Sequence, residues 1–236
     1  MSMIYLVRHG QASFGQDNYD LLSPLGKKQS RILAQFFLDT GLTPDALYSG
    51  ALSRQQATAQ EFYSLYQAQG KMLPDLELLD ELNEYETSAI VTDLFPAMAE
   101  DDPSLHDDLE RMYKDKESFK RVFEAAMLRW VSGNHATPGH EQWSAFVDRI
   151  SRALKQIIRI NGRGKTIVAF TSGGPIAASL VSVLGISGEM AMRLNWQIIN
   201  TSYTRYMYKA DRITLAGFNS IAHLELAKDP GVITYR

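Results

Sequence analysis

Apolar positions along this chain follow two periods. Short β-favouring runs at 4–7 (Ile-Tyr-Leu-Val), 46–49 and 166–170 (Thr-Ile-Val-Ala-Phe) each end abruptly in polar residues or glycine, as buried strands do. Between them apolar residues recur at helical spacing. Leu25, Ile32, Leu33, Phe36 and Phe37 mark a helix that Ser23 caps, Pro24 starts and Gly41 closes. A second helix is predicted over 53–69, a long amphipathic one over 143–160 (Phe146, Ile150, Leu154, Ile157), and a small-residue helix over 176–184. A third extended segment, 73–82, alternates at Leu76 and Leu78. A short helix is expected over 185–194. The runs 203–208 and 213–218 read as an antiparallel pair, and 219–236 as an irregular tail.

Strands alternating with helices predict an α/β fold, a central mostly parallel sheet with helices on both faces. Residues 88–135 break that rhythm. Strand signals are few there, Glu100-Asp101-Asp102-Pro103 punctuates the stretch, and amphipathic helices are expected over 105–113 and 119–130. The segment reads as a helical cap insertion within a single domain covering 1–236. His106 and His135 lie in or near it and carry no assigned role. No internal repeat or Gly/Ser linker divides the chain.

Composition narrows the chemistry. Of 236 residues, 45% are apolar and 22% charged, ordinary for a globular protein, and the net charge of -3 offers no basic field for nucleic acid. Cysteine is absent, which excludes disulfides, thiolate nucleophiles and Cys-ligated metals. A core strand begins within a few residues of the start, without a signal-like leader, and no apolar run is long enough to span a membrane. A cytoplasmic enzyme, with neither nucleic acid nor membrane as partner, is the expectation; a homodimer is compatible with it.

In parallel sheets ligands bind at the carboxyl ends of the strands. Arg8 and His9 stand at the end of the first strand, with Gly10 allowing the turn. Arg54 follows the second, Glu81 and Glu84 the third, and Ser172 and Gly173 the strong strand at 166–170. Each alone is an ordinary polar residue at a strand end; together they describe one site. Two guanidiniums and helix N-terminal amides suit a dianionic phosphoryl group. A histidine among them can act as nucleophile and a carboxylic acid as proton donor. No metal or other cofactor is required, since the arginines supply the positive charge.

These residues sit in motifs that resemble the histidine phosphatase superfamily, also called phosphoglycerate mutase-like. Leu6-Val7-Arg8-His9-Gly10-Gln11 is similar to its Arg-His-Gly signature. Leu22-Ser23-Pro24-Leu25-Gly26-Lys27-Lys28-Gln29-Ser30 is similar to its "L-T-x-x-G-x-x-Q-A" helix start. Ser49 to Ala59 resembles its second-arginine motif, "S-x-L-x-R-A-x-Q-T-A", and Gly139-His140-Glu141 its "G-E-S" region. The resemblance implies the family fold and, for the site, His9 as the phosphorylated nucleophile with Arg8, Arg54, Ser172 and Gly173 around the phosphate. It implies a glutamate in an "L-x-E" context as proton donor. Glu84 is preferred and Glu81 is the alternative. Ser13 and Phe14 fall in the loop facing the substrate, a phosphorylated small molecule. His223, in an "N-x-x-x-H-L" element, reads as structural.

One departure stands out. Where the family pattern reads "S-H-G-G", this chain reads Thr171-Ser172-Gly173-Gly174. A serine hydroxyl brings one donor and no charge, and losing a charged donor from such a site costs on the order of 3 kcal/mol, roughly a hundredfold in rate. The expected function is metal-independent hydrolysis of phosphomonoesters through a phosphohistidine. Alternatives are a phosphoglycerate mutase-type phosphoryl transfer, or a catalytically weakened phospholigand-binding protein.

Overall fold

The computed structural model describes the chain except for residues 14–19, 103–104, 113, 135–138, 211 and 236, and the side chains at 88, 96 and 97. Phe14 therefore lies outside the described residues, as do Tyr113 and His135. The elements run β1 (Ser2–Arg8), α1 (Pro24–Asp39), β2 (Ala46–Ser49), α2 (Ser53–Ala68), β3 (Leu76–Leu78), α3 (Thr87–Asp101), α4 (His106–Arg111) and α5 (Lys116–Ser132). Then come α6 (Trp143–Asn161), β4 (Thr166–Thr171), α7 (Gly173–Leu184), α8 (Gly188–Asn195), β5 (Tyr203–Lys209), β6 (Arg212–Ser220) and α9 (Ala222–Leu226).

Six strands form one sheet in the order β3-β2-β4-β1-β5-β6. The pairs β3–β2, β2–β4 and β4–β1 are parallel; β1–β5 and β5–β6 are antiparallel. Strand period sorts the core onto two faces. Ile4 and Leu6 of β1, Ala46 and Tyr48 of β2, and Ile167 and Ala169 of β4 pack with α6 and α7. The alternate residues Val7, Leu47, Val168 and Phe170 pack with Leu33 and Phe37 of α1 and Phe62 and Tyr66 of α2. The mostly parallel, doubly covered sheet expected from the sequence is the fold observed.

Helices α3–α5 share the α6 side of the core. Ile90, Leu94, Met98, Val122, Met127 and Trp130 belong to the same apolar cluster as Phe146 and Ile150 of α6. Trp130 is fully buried, its ring 4.7 Å from Tyr85 and 5.1 Å from Trp143. Its Nε1–H donates to the Glu141 carbonyl at 3.0 Å. Truncating such a side chain costs about 3–5 kcal/mol.

Three sequence expectations shift. The extended segment at 73–82 pairs only over Leu76–Leu78 and then tightens into a 3₁₀ turn at Asp80–Leu82. Helix α7 begins at Gly173, so Gly173-Gly174 is its first turn rather than a turn ahead of it. The tail is partly ordered, with α9 and a 3₁₀ turn at Pro230–Val232. At the start of α1 the reading holds: the Ser23 hydroxyl accepts from Gly26 N–H at 3.0 Å with Pro24 in the first turn. Among the described residues no helix is long and apolar enough to cross a membrane.

Candidate active site

The ends of β1, β2 and β4 deliver the polar residues to one place. His9 follows β1 and is 4% exposed; its N–H donates to the Thr171 carbonyl at 2.8 Å, tying β1 to β4. Gly10 follows because nothing larger fits. A Cβ there would lie 2.4 Å from the Gly26 carbonyl oxygen, so the start of α1 sits directly on the turn. The Gly10 N–H donates to Thr58 Oγ1 of α2 at 3.0 Å. The Asn200 side chain donates to the His9 carbonyl at 3.2 Å, and Thr201 N–H reaches the Arg8 carbonyl at 3.1 Å.

The protonation of His9 can be read from its two neighbours. Arg54 Nε–H can only donate, and it lies 3.1 Å from His9 Nε2. Nε2 is therefore the bare nitrogen, and Nδ1–H donates to the Gly10 carbonyl at 2.7 Å. Burial, then the charges of Arg8 and Arg54, hold the His9 pKa well below the usual imidazole value; the Gly10 hydrogen bond works the other way. The result is a neutral imidazole whose lone pair faces a guanidinium.

Arg54 enters at the first turn of α2 and is 8% exposed. Its Nη1 pairs with Asp20 Oδ1 at 2.6 Å. Arg8, at the end of β1, donates through Nη1 to the Ile198 carbonyl. A Cβ on Gly173 would come within 4.0 Å of Arg8 Nε and 2.3 Å of Asn195 Oδ1, so the first turn of α7 lies against Arg8 and Asn195.

Glu84 is the carboxylate that reaches this place. Its Oε2 accepts from Gly174 N–H at 3.1 Å and its Oε1 from Tyr85 N–H at 3.2 Å. Burial raises its pKa; the Gly174 hydrogen bond, Arg54, the Tyr85 hydrogen bond and Arg8 partly oppose the rise. A Cβ on Gly174 would fall 1.9 Å from Glu84 Oε1 and 2.5 Å from the Tyr85 ring, which is why glycine opens the helix there. Glu81, the alternative, lies in the 3₁₀ turn at Asp80–Leu82. Its carbonyl accepts from Arg149 Nη1 at 2.6 Å.

Four residues missed in the sequence complete the arrangement. Arg149 of α6 also reaches the Asn83 carbonyl at 3.1 Å and pairs in two-pronged fashion with Glu141, both contacts 2.8 Å, so it braces the segment carrying Glu84. Gln55, fully buried, donates from Nε2 to Ser172 Oγ at 2.8 Å and to the Leu82 carbonyl at 3.2 Å. It stands where the family pattern carries Ala, directly after Arg54, and that departure was the available signal. Ser172 is itself fully buried, so these departures from the family pattern, Gln55 and Ser172, touch one another. Asp20 and Asn195 carried no sequence signal, since neither lies in a motif. Ser13 sits at the base of its loop, its N–H donating to the Leu21 carbonyl at 2.8 Å. Among the described residues no group of three or more His, Asp or Glu side chains is placed to hold a metal ion.

Comparison with known proteins gives the family and the fold. The family model described as histidine phosphatase superfamily (branch 1) matches residues 4–124 and 84–221, so the chain belongs to that superfamily. No curated protein sequence gives a significant match. Among solved structures, the phosphoserine phosphatase of Entamoeba histolytica, a mutant in complex with phosphoserine, is similar. It aligns at TM-score 0.65 and 19% identity, covering 95% of this chain and 100% of that one. The phosphoglycerate mutase of Bacillus anthracis aligns at TM-score 0.65 and 16% identity, covering 97% of each. The mycobacterial glucosyl-3-phosphoglycerate phosphatase aligns at TM-score 0.61 and 19% identity, covering 93% and 99%. At these identities the likeness is one of fold.

Proposed function

We propose that the protein is a metal-independent phosphatase that hydrolyses small phosphomonoesters through a phosphohistidine on His9. The observation that carries the reading is the tautomer of His9, with Nδ1–H on the Gly10 carbonyl and a bare Nε2 facing Arg54. A neutral imidazole with its outward lone pair free of a proton is the form that can attack phosphorus.

The steps follow from these contacts. A phosphoryl oxygen takes over the Arg54 Nε–H, releasing the Nε2 lone pair, which forms the N–P bond as the ester P–O bond breaks. Arg8, Arg54 and the first amides of α7 neutralise the phosphoryl oxygens. Glu84, whose pKa burial raises, gives its proton to the departing alkoxide. The resulting carboxylate then takes a proton from water as that water attacks phosphorus, and orthophosphate leaves with His9 neutral again. The fully buried Ser172, already bonded to Gln55, adds no charge, which favours a slow enzyme over a fast one.

The test is turnover of phosphoserine, 3-phosphoglycerate and p-nitrophenyl phosphate in EDTA, with phosphorus NMR of the enzyme during turnover. The expected result is activity with EDTA present and a phosphohistidine resonance that disappears in His9→Ala, together with at least about a thousandfold of the rate. Undiminished turnover in His9→Ala would overturn the assignment. Transfer of the phosphoryl group to 3-phosphoglycerate in preference to water would favour the mutase reading instead.

A further inference from the structure

Arg54 carries a resident anion. Its Nη1 lies 2.6 Å from Asp20 Oδ1, while the other Asp20 oxygen, Oδ2, accepts from Ser53 N–H at 2.7 Å. Asp20 is thus fixed by two successive residues of the α2 N-terminus, and Arg54 is fixed in turn with its Nε on His9 Nε2. Exposed ion pairs carry little energy, but the Arg54 side chain is only 10% exposed and Asp20 31%. The carboxylate sits at the mouth, the guanidinium inside.

We propose that Asp20 is a positioning residue that competes with the phosphoryl group for Arg54. With Asp20 in place, Arg54 is paired with a carboxylate and its Nε–H occupies the lone pair of His9. A phosphoryl group takes the Arg54 guanidinium only when Asp20 gives up its share of it, and the same movement releases Nε2 for attack. After hydrolysis Asp20 reclaims the guanidinium and helps expel orthophosphate. This rests on the phosphatase reading for its consequences in turnover, but the competition itself is a property of anion binding.

Asp20→Asn separates charge from structure, because the amide oxygen can still accept from Ser53 N–H. Calorimetric titration with inorganic phosphate, which needs no turnover, should show binding about tenfold tighter than in the unaltered protein, as expected for removing one unit charge a few ångströms from an anion site. KM should fall with it and kcat should not rise. Asp20→Ser, which also keeps an acceptor, should shift phosphate binding in the same direction, and melting curves identify either variant if it is misfolded. Phosphate binding that is unchanged, weaker, or undetectable in both folded variants overturns the proposal. Tighter phosphate binding without any turnover in the unaltered protein would instead overturn the phosphatase reading and leave the competition standing.

Discussion

Two buried histidines in this fold have opposite proton arrangements, although burial lowers the pKa of both. His9 presents its bare Nε2 to a cation at the ends of the parallel strands. His223, on α9, lies 3.1 Å through Nε2 from Thr201 Oγ1, whose own hydroxyl donates to the Asn200 carbonyl at 2.7 Å. Thr201 must therefore accept, so His223 carries its proton on Nε2. Its Nδ1 is buried with no hydrogen-bond partner among the described residues, and its ring clusters with those of Phe36 and Tyr203, each centroid 6.0 Å away. Burial alone lowers its pKa to about 3. A depressed pKa thus does not mark a nucleophile. The proposed role of His9 rests instead on geometry, a lone pair aimed at a cation.

The acid beside His9 offers the largest way to break the contrast. Glu84→Gln keeps a side chain of the same shape but removes the transferable proton, and should lower kcat on alkyl phosphates by about a hundredfold or more. The loss should be much smaller for p-nitrophenyl phosphate, whose leaving group departs without a proton. Because burial raises the Glu84 pKa, the rate in the unaltered protein should fall as pH rises through that value, and the variant should lose this alkaline limb. Equal losses on both substrates across all pH would remove Glu84 from the proton-transfer role.

The neighbourhood of Ser172 gives the next test. Ser172→His alone forces an imidazole into a fully buried position already met by Gln55 Nε2. Overpacking there should cost about 1–3 kcal/mol in an unfolding titration. Adding Gln55→Ala should recover part of that stability and raise turnover by roughly tenfold as a charged donor joins the pocket. If the double variant is no faster than the unaltered protein, position 172 does not face the phosphoryl group.

Much of this arrangement is legible in the chain because it is local. The β1 run ending in Arg8-His9-Gly10, the cap at Ser23-Pro24 and the strand at 166–170 each announce themselves within ten residues. What stays hidden depends on long-range contact. The Asp20–Arg54 pair spans 34 positions and Gln55–Ser172 spans 117. The brace from Arg149 reaches back to residues 81 and 83, and nothing in the α6 periodicity distinguishes it from a surface arginine. Gly173-Gly174 reads as a turn on local grounds; only the packing of Glu84 and Tyr85 over Gly174 shows why a helix begins with two glycines. The preference for Glu84 over Glu81 rests on the residues that follow it, whereas the hydrogen bond from Gly174 to Glu84 spans 90 positions and has no local sign.

The smallest expected effect falls on His223, and it bears on stability more than on turnover. Thr201 holds a left-handed backbone, φ 59°, and its N–H contacts the Arg8 carbonyl, so His223 supports the strand end from behind. An imidazole with a folded pKa near 3 and an unfolded value near 6.5 binds its proton more readily when the chain is unfolded. Its contribution is therefore intact above pH 6.5 and lost progressively as pH falls toward 3, at up to about 1.4 kcal/mol per pH unit. His223→Gln can still place an N–H near Thr201 but cannot titrate. Denaturant unfolding should show the variant less stable by about 1–2 kcal/mol at pH 7.5 yet with a shallower decline between pH 6.5 and 4, and kcat within a fewfold of the unaltered protein. A pH slope identical to that of the unaltered protein would mean that His223 does not titrate with folding.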